Sequence, residues 1–247
     1  MQLPQFQVLA AIEERHWWFL GRQTIFRSLL QSIVPPHTGK KLIDVGCGTG
    51  GNTAAFASEY ECIGIDPVPA AIAFAKERFP QCAFLTGMAP WDVPKEMHEA
   101  DIVLLADVLE HVKEDRMLVA DLVHAMKPRA ILLMIAPADM KLWSPHDRGF
   151  DHYRRYDLES ARFLWKNLPV TEHVCTYCNA RLYWPIRIVR TLARFFGRSL
   201  GPADTDLSLP PAPINFLLRK IFESEAKRIV SKGFGHGVSF IALLQKN

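Results

Sequence analysis

Lys41-Leu42-Ile43-Asp44-Val45-Gly46-Cys47-Gly48-Thr49-Gly50-Gly51 is the stretch whose reading decides the fold. Leu42, Ile43 and Val45 read as a short buried parallel strand, and the glycines then permit a tight turn whose backbone can approach a ligand closely. A strand followed by such a turn and then a helix predicts an α/β chain that holds a nucleotide on the turn. The spacing Gly46, Gly48, Gly51 fits a dinucleotide fingerprint, and Asp66 ends the next apolar run, where a ribose-binding acid is expected. Asp44 points elsewhere, because a carboxylate at the tip of the strand would repel a pyrophosphate, whereas a cationic ligand tolerates it.

The run Asp44-Val45-Gly46-Cys47-Gly48-Thr49-Gly50 resembles the first motif of class I S-adenosylmethionine-dependent methyltransferases, whose cofactor carries an amino group and a sulfonium in place of phosphates. The resemblance implies a Rossmann-like methyltransferase fold: a doubly wound, mostly parallel seven-stranded sheet with an antiparallel terminal strand. It also implies S-adenosylmethionine as cofactor. Asp66-Pro67 is similar to the second motif, whose acid accepts both ribose hydroxyls. Gly87-Met88-Ala89 stands where many relatives carry Gly-Asp-Ala. Met88 cannot accept from an adenine amino group, which leaves its thioether to pack on the ring and the backbone of Met88 and Ala89 to address the ring edge.

Asp107-Val108-Leu109-Glu110-His111-Val112 resembles the fourth motif, which puts Asp107 and Val108 beside the cofactor and Glu110 and His111 near the reacting centre. His16-Trp17-Trp18-Phe19-Leu20-Gly21-Arg22 is similar to a stretch whose helix caps the cofactor pocket in many bacterial members, and Trp18 and Arg22 share a helix face. The plainer reading of those residues is an amphipathic helix packing its aromatics on the sheet. The implied cofactor set is Trp18, Arg22, Asp44, Gly46, Cys47, Gly48, Asp66, Pro67, Gly87, Met88, Ala89, Asp107 and Val108.

Ser144 to Tyr156 packs two histidines, two tyrosines and three arginines into thirteen positions, more hydrogen-bonding capacity than a connecting loop needs. It is similar to an H-D-x-x-x-G-H-x-R-R-Y pattern of bacterial relatives, with Asp151 in place of the glycine. It reads as the acceptor site, with His111 and His152 as the preferred bases and Tyr153 beside them. In an extended loop, Tyr153 and Arg155 would face one way and Arg154 and Tyr156 the other. His146, Asp147 and His152 lack a regular ligand spacing, and Asp107, Glu110 and His111 are read without an ion, so no metal is expected. Arg129, in a turn where relatives carry glycine, predicts a less strained turn there.

The 247 residues read as one domain: a helical cap over 1–39, a cofactor core over 40–179, a helical insertion over 180–236 and a terminal strand over 237–247. The N-terminus lacks a basic start followed by an apolar run, and no stretch approaches the roughly 18 apolar residues of a membrane span, so the cytoplasm is expected. A net charge of +3 gives no argument for nucleic acid. Five cysteines without export signals read as reduced thiols, and Cys175 and Cys178 in a strand point to opposite faces. In the insertion, Arg181, Arg187, Arg190, Arg194 and Arg198 alternate with Leu182, Trp184, Ile186, Ile188, Val189, Leu192, Phe195 and Phe196, a pattern for peripheral membrane contact over 181–198, a lid or an interface. The expected partner is a small-molecule, lipid-linked or saccharide acceptor, with oligomeric state open. A nicotinamide-dependent reductase and a non-catalytic cofactor-binding module are the rival readings.

Overall fold

A computed structural model describes residues 3–195 and 206–247. Its strands are β1 (Lys41–Val45), β2 (Glu61–Asp66), β3 (Ala83–Thr86), β4 (Ile102–Ala106), β5 (Ile131–Pro137), β6 (Val170–Cys178) and β7 (Ser239–Lys246). They form one sheet in the order β3-β2-β1-β4-β5-β7-β6. β1 to β5 are mutually parallel, and β7 runs antiparallel to both β5 and β6. This is the expected doubly wound sheet with its antiparallel terminal strand. The chain order reverses between β1 and β4, so the exits of these two strands flank the crevice where such sheets take ligands.

The helices are α1 (Leu3–Ile12), α2 (Trp17–Gln31), α3 (Gly51–Phe56), α4 (Pro69–Arg78), α5 (Pro94–Glu99), α6 (Asp115–Ala125), α7 (Pro145–Gly149), α8 (Leu158–Leu164), α9 (Tyr183–Phe195), α10 (Ala212–Glu223) and α11 (Ala226–Ser231). Strand residues alternate between two cores. Ile43, Val103, Leu105, Leu132 and Met134 pack under α5, α6 and α8. Leu42, Ile102, Leu104, Ile131 and Leu133 pack under α2, α10 and α11. Cys175 belongs to the first core and Cys178 to the second, on opposite faces as expected.

The helical cap expected over 1–39 holds two helices, because the chain leaves α1 and restarts at His16, whose Nδ1 accepts from the Trp18 amide at 3.2 Å. Within the insertion, α10 and α11 lie on the sheet; a Cβ at Gly21 would come within 2.6 Å of Phe222, so α2 and α10 cross closely. Arg129 takes a left-handed conformation (φ 67°), not the relaxed turn expected of it. Backbone bonds hold it there: its amide donates to the Lys246 carbonyl at 2.9 Å and its carbonyl accepts from Gln245 at 3.2 Å. Asp151, standing where relatives have glycine, is also left-handed (φ 56°).

Candidate active site

The glycine turn follows β1. Gly46 and Gly48 both have positive φ, 70° and 54°. A Cβ on Gly46 would lie 2.5 Å from Val108, whereas one on Gly48 would meet nothing within 4 Å, so the backbone there borders open space. The Gly48 amide donates to Asp66 Oδ2 at 3.0 Å and the Val68 amide to Oδ1 at 2.9 Å, which fixes the Asp66 carboxylate at the exit of β2. Burial raises its pKa.

Asp44 is not where the sequence reading placed it. It pairs in register with Gly64 and Leu104 inside β1, and its buried carboxylate accepts from Thr53 Oγ1 at 2.7 Å. The side chain lies beneath the turn, not on a ligand-facing tip, and burial pushes it up to about 6.

A cavity of about 430 Å³ opens between the turn, α2, the exits of β4 and β5, the segment around α7, and α9. Of the predicted residues, Trp18, Arg22, Gly46, Cys47, Gly48, Asp107, His111 and His152 line it. Asp66, Pro67, Gly87, Met88, Ala89, Val108 and Tyr153 do not, and neither does Asp44. Val108 sits behind Gly46. Met88 is 53% exposed, and its amide donates to Asp92 Oδ2 at 2.8 Å, a partner the sequence reading missed. The Arg22 guanidinium lies 4.3 Å from the Trp18 ring centroid, pairs with Asp107, and reaches Asn52 Oδ1 at 3.3 Å. The helix face expected to carry Trp18 and Arg22 together therefore does so at the cavity wall.

The opposite end is built around Asp147, which is fully buried. Arg155 donates to it through Nε at 2.8 Å and Nη2 at 3.1 Å, His152 Nδ1 lies 2.9 Å away, and the Ser144 amide donates at 2.8 Å. Burial alone would raise the Asp147 carboxyl, but His152 and Arg155 together hold it below the usual carboxylate range. Arg155 also reaches the Ala138 carbonyl at 3.0 Å.

The expected alternation in this stretch fails. Arg155 is buried at the cavity, but Tyr153 is 58% exposed, and Tyr156 is buried with its hydroxyl donating to Asp115 at 2.7 Å. The cause is the pair of buried acids on either side, Asp147 drawing in Arg155 and Asp115 the Tyr156 hydroxyl, so that consecutive side chains are both buried.

Glu110 and His111 occupy a 3-10 turn after β4. Burial, reinforced by Asp107, drives the Glu110 carboxyl well above its ordinary value, and burial drives His111 down to about 3. The rings of His111 and His152 meet edge to face with centroids 4.7 Å apart. His146 lines the same end and accepts from the Asp206 amide at 3.0 Å.

Above them, α9 turns Ile186 and Arg190 inward, and Leu182, just ahead of the helix, joins them at the wall. Arg190 is buried against Asp206 at 2.8 Å and the Leu142 carbonyl at 3.1 Å, so it does not reach outward as the sequence suggested. Trp184, Ile188, Leu192 and Phe195 form the exposed stripe. Phe196 and Arg198 lie outside the described residues.

Sequence reasoning missed Glu13 and Asn179 as wall residues, while Arg155 belongs to the expected acceptor loop. Glu13, just after α1, accepts from Thr49 Oγ1 at 2.6 Å and pairs with Arg78, tying that end of α1 to the glycine turn and α4. It stands shortly before the quoted tryptophan stretch, but no spacing rule marks it.

Residues 43–134 match a family model described as a methyltransferase domain. A probable S-adenosylmethionine-dependent methyltransferase of Mycolicibacterium smegmatis is 20% identical over 156 residues, 63% of this chain and 59% of that protein. A trans-aconitate 2-methyltransferase of Variovorax paradoxus is 30% identical over 112 residues, 44% of this chain and 42% of that protein. The chain thus matches between 42% and 59% of these relatives' lengths. Among solved structures, a plantazolicin methyltransferase in complex with SAH superposes at TM-score 0.60 with 17% identity, over 99% of this chain and 90% of that one. A SAM-dependent methyltransferase from Archaeoglobus fulgidus superposes at 0.57 with 17% identity, over 91% and 94%.

Proposed function

We propose that this chain, which belongs to the class I S-adenosylmethionine-dependent methyltransferases, moves a methyl group from that cofactor to an acceptor bound under α9. The observation that carries this reading is the open space over Gly48, next to the fixed Asp66 carboxylate and continuous with a cavity whose far end holds three histidines.

The residues fit the cofactor. Asp66 would accept ribose hydroxyls, Trp18 and Arg22 would close over the methionyl part with Asp107 near its amino group, and Met88 and Ala89 would border the adenine. Held there, the cofactor would supply an activated methyl group on a sulfonium, for displacement by an acceptor lone pair with the C–S electron pair kept by sulfur. The chain's own task is to align the nucleophile, and alignment alone accounts for much of such a rate. For an oxygen acceptor, a ring nitrogen of His111, His146 or His152 takes the departing proton. Calorimetry with S-adenosylmethionine and its demethylated product should show binding that Asp66→Ala weakens by about tenfold or more, the loss of one charge-assisted bond to paired hydroxyls. Tight NADH binding without response to S-adenosylmethionine would restore the reductase.

The acceptor has an apolar body and reaches the site from an anionic lipid surface. In support, α9 carries an exposed stripe of Trp184, Ile188, Leu192 and Phe195, flanked by exposed Arg181 and half-buried Arg187, with no acid before Asp204. Ile214, Phe216 and Leu217 of α10 are exposed as well. Leu182, just before α9, and Ile186 on its inner face line the cavity, so the helix that carries the exposed stripe also borders the space for the acceptor. No helix among the described residues is long and apolar enough to cross a membrane, and amphipathic helices of this kind lie in the headgroup plane. The trans-aconitate and plantazolicin enzymes act, by name, on a small molecule and on plantazolicin, which makes a soluble acceptor the second reading. Flotation with anionic vesicles at low salt should carry the protein upward, and Ile188→Ser with Arg187→Glu should abolish it. Retention in the soluble fraction at low salt would favour the soluble acceptor.

A further inference from the structure

We propose that Glu110, His111 and His152 form a binding site for a divalent transition-metal ion at the acceptor end of the cavity. A carboxylate oxygen and one nitrogen from each ring all lie within 4.8 Å of one another. Two imidazoles and one carboxylate suit borderline cations such as Zn²⁺, Co²⁺ or Fe²⁺ better than Mg²⁺ or Ca²⁺, which prefer oxygen donors throughout. A tetrahedral ion about 2.1 Å from each donor sets the donors roughly 3.4 Å apart, so modest side-chain rotations close the set.

Two further observations point to a ligand. His152 already has one nitrogen engaged, Nδ1 with Asp147 at 2.9 Å. Its ring is thereby oriented with the second nitrogen left to bind, the outer-shell arrangement that metal-ligating histidines use. Glu110 Oε2 is buried and has no hydrogen-bond partner among the described residues, a costly state for a carboxylate oxygen. A cation would satisfy it.

The neighbouring acids are excluded by their own partners. Asp107 is held by Arg22, and both oxygens of Asp147 are taken by Arg155, His152 and the Ser144 amide. All three proposed ligands line the cavity, so the ion keeps a position open toward it, as catalytic sites do. Its role there, polarising an acceptor oxygen whose proton then leaves to His146 or to water because His111 and His152 serve as ligands and not as bases, rests on the methyl-transfer reading. The site itself does not.

The test titrates the full chain, stripped with a chelator, with Co²⁺ alone, followed by calorimetry and visible absorption. One equivalent should bind, with d–d bands typical of mixed nitrogen and oxygen coordination. Glu110→Gln, a near-isosteric change, and His152→Ala should each weaken binding by about tenfold or more. His124→Ala, on the exposed side of α6, should leave it unchanged. Circular dichroism melts of each variant separate lost ligands from lost fold. No uptake of Co²⁺, or equal uptake by the wild type and Glu110→Gln, overturns the proposal. A sample that binds Co²⁺ but not S-adenosylhomocysteine keeps the ion site and ends the cofactor reading, so the two fail separately.

Discussion

The two ends of the cavity are built by different means. At the glycine turn the backbone sets the geometry: Gly46 and Gly48 adopt positive φ, and the main-chain amides of Gly48 and Val68 fix the Asp66 carboxylate. At the acceptor end one buried carboxylate, Asp147, gathers His152, Arg155 and the Ser144 amide, and side chains set the geometry. The first kind of site tolerates changes of side chain and fails when the backbone is forced. The second reverses that dependence.

The largest effect that would sharpen this contrast is Arg155→Ala. It leaves Asp147 buried without its main counter-charge, and breaking a buried pair from one side costs about 3–5 kcal/mol. Urea unfolding should show that loss, with Arg155→Lys recovering only part of it, because an ammonium cannot reproduce the two-pronged contact. Wild-type stability in Arg155→Ala would mean that packing of α7 and α9, not the ion pair, holds this end.

The same contrast explains what could be read from the sequence. The first strand and the turn follow from an apolar run and glycine spacing, which are local signals, whereas the seven-stranded sheet with its antiparallel terminal strand is implied by the family resemblance of the motifs. Asp44 misled because one residue of register decides whether a side chain sits at a strand tip or inside it; pairing with Gly64 and Leu104 puts it inside. Arg129 and Asp151 adopt a conformation that their own preferences oppose, and for Arg129 the bonds that hold it come from β7, more than a hundred residues away. In the insertion, the periodicity of α9 was visible, but not which arginine would turn inward. Arg190 does so because Asp206 and the Leu142 carbonyl await it, and neither is marked by spacing.

The next effect in size tests the backbone-built end. Gly46→Ala forces a Cβ into a left-handed position 2.5 Å from Val108. The conformation costs about 1–2 kcal/mol and the overpacking about 1–3, so a total near 3 kcal/mol is expected, along with at least about 100-fold weaker binding of S-adenosylhomocysteine. Gly48→Ala shares the positive φ but points into open space, so its effect on stability should be the smaller. If the two variants are equally stable, the turn is set by something other than the contact with Val108.

The smallest effect concerns Asp44, a buried carboxylate beneath the backbone-built end. Its folded pKa is raised to about 6, chiefly by burial. An unfolded aspartate titrates near about 3.9, so below about pH 4 both states are protonated and the ionisation carries no penalty. As pH rises through about 6 the folded carboxyl must ionise where it is poorly solvated, and stability is lost over that window. A shift of about two units corresponds to roughly 2–3 kcal/mol. Asp44→Asn keeps an oxygen for the Thr53 hydroxyl and removes the ionisation. Its melting temperature relative to the wild type should therefore rise between about pH 4 and pH 7 and level off above that. A difference that stays constant across this range would show that Arg22, some distance along the cavity wall, already neutralises the charge. The two ends would then share one electrostatic network, and the division between a backbone-built and a side-chain-built site would not hold.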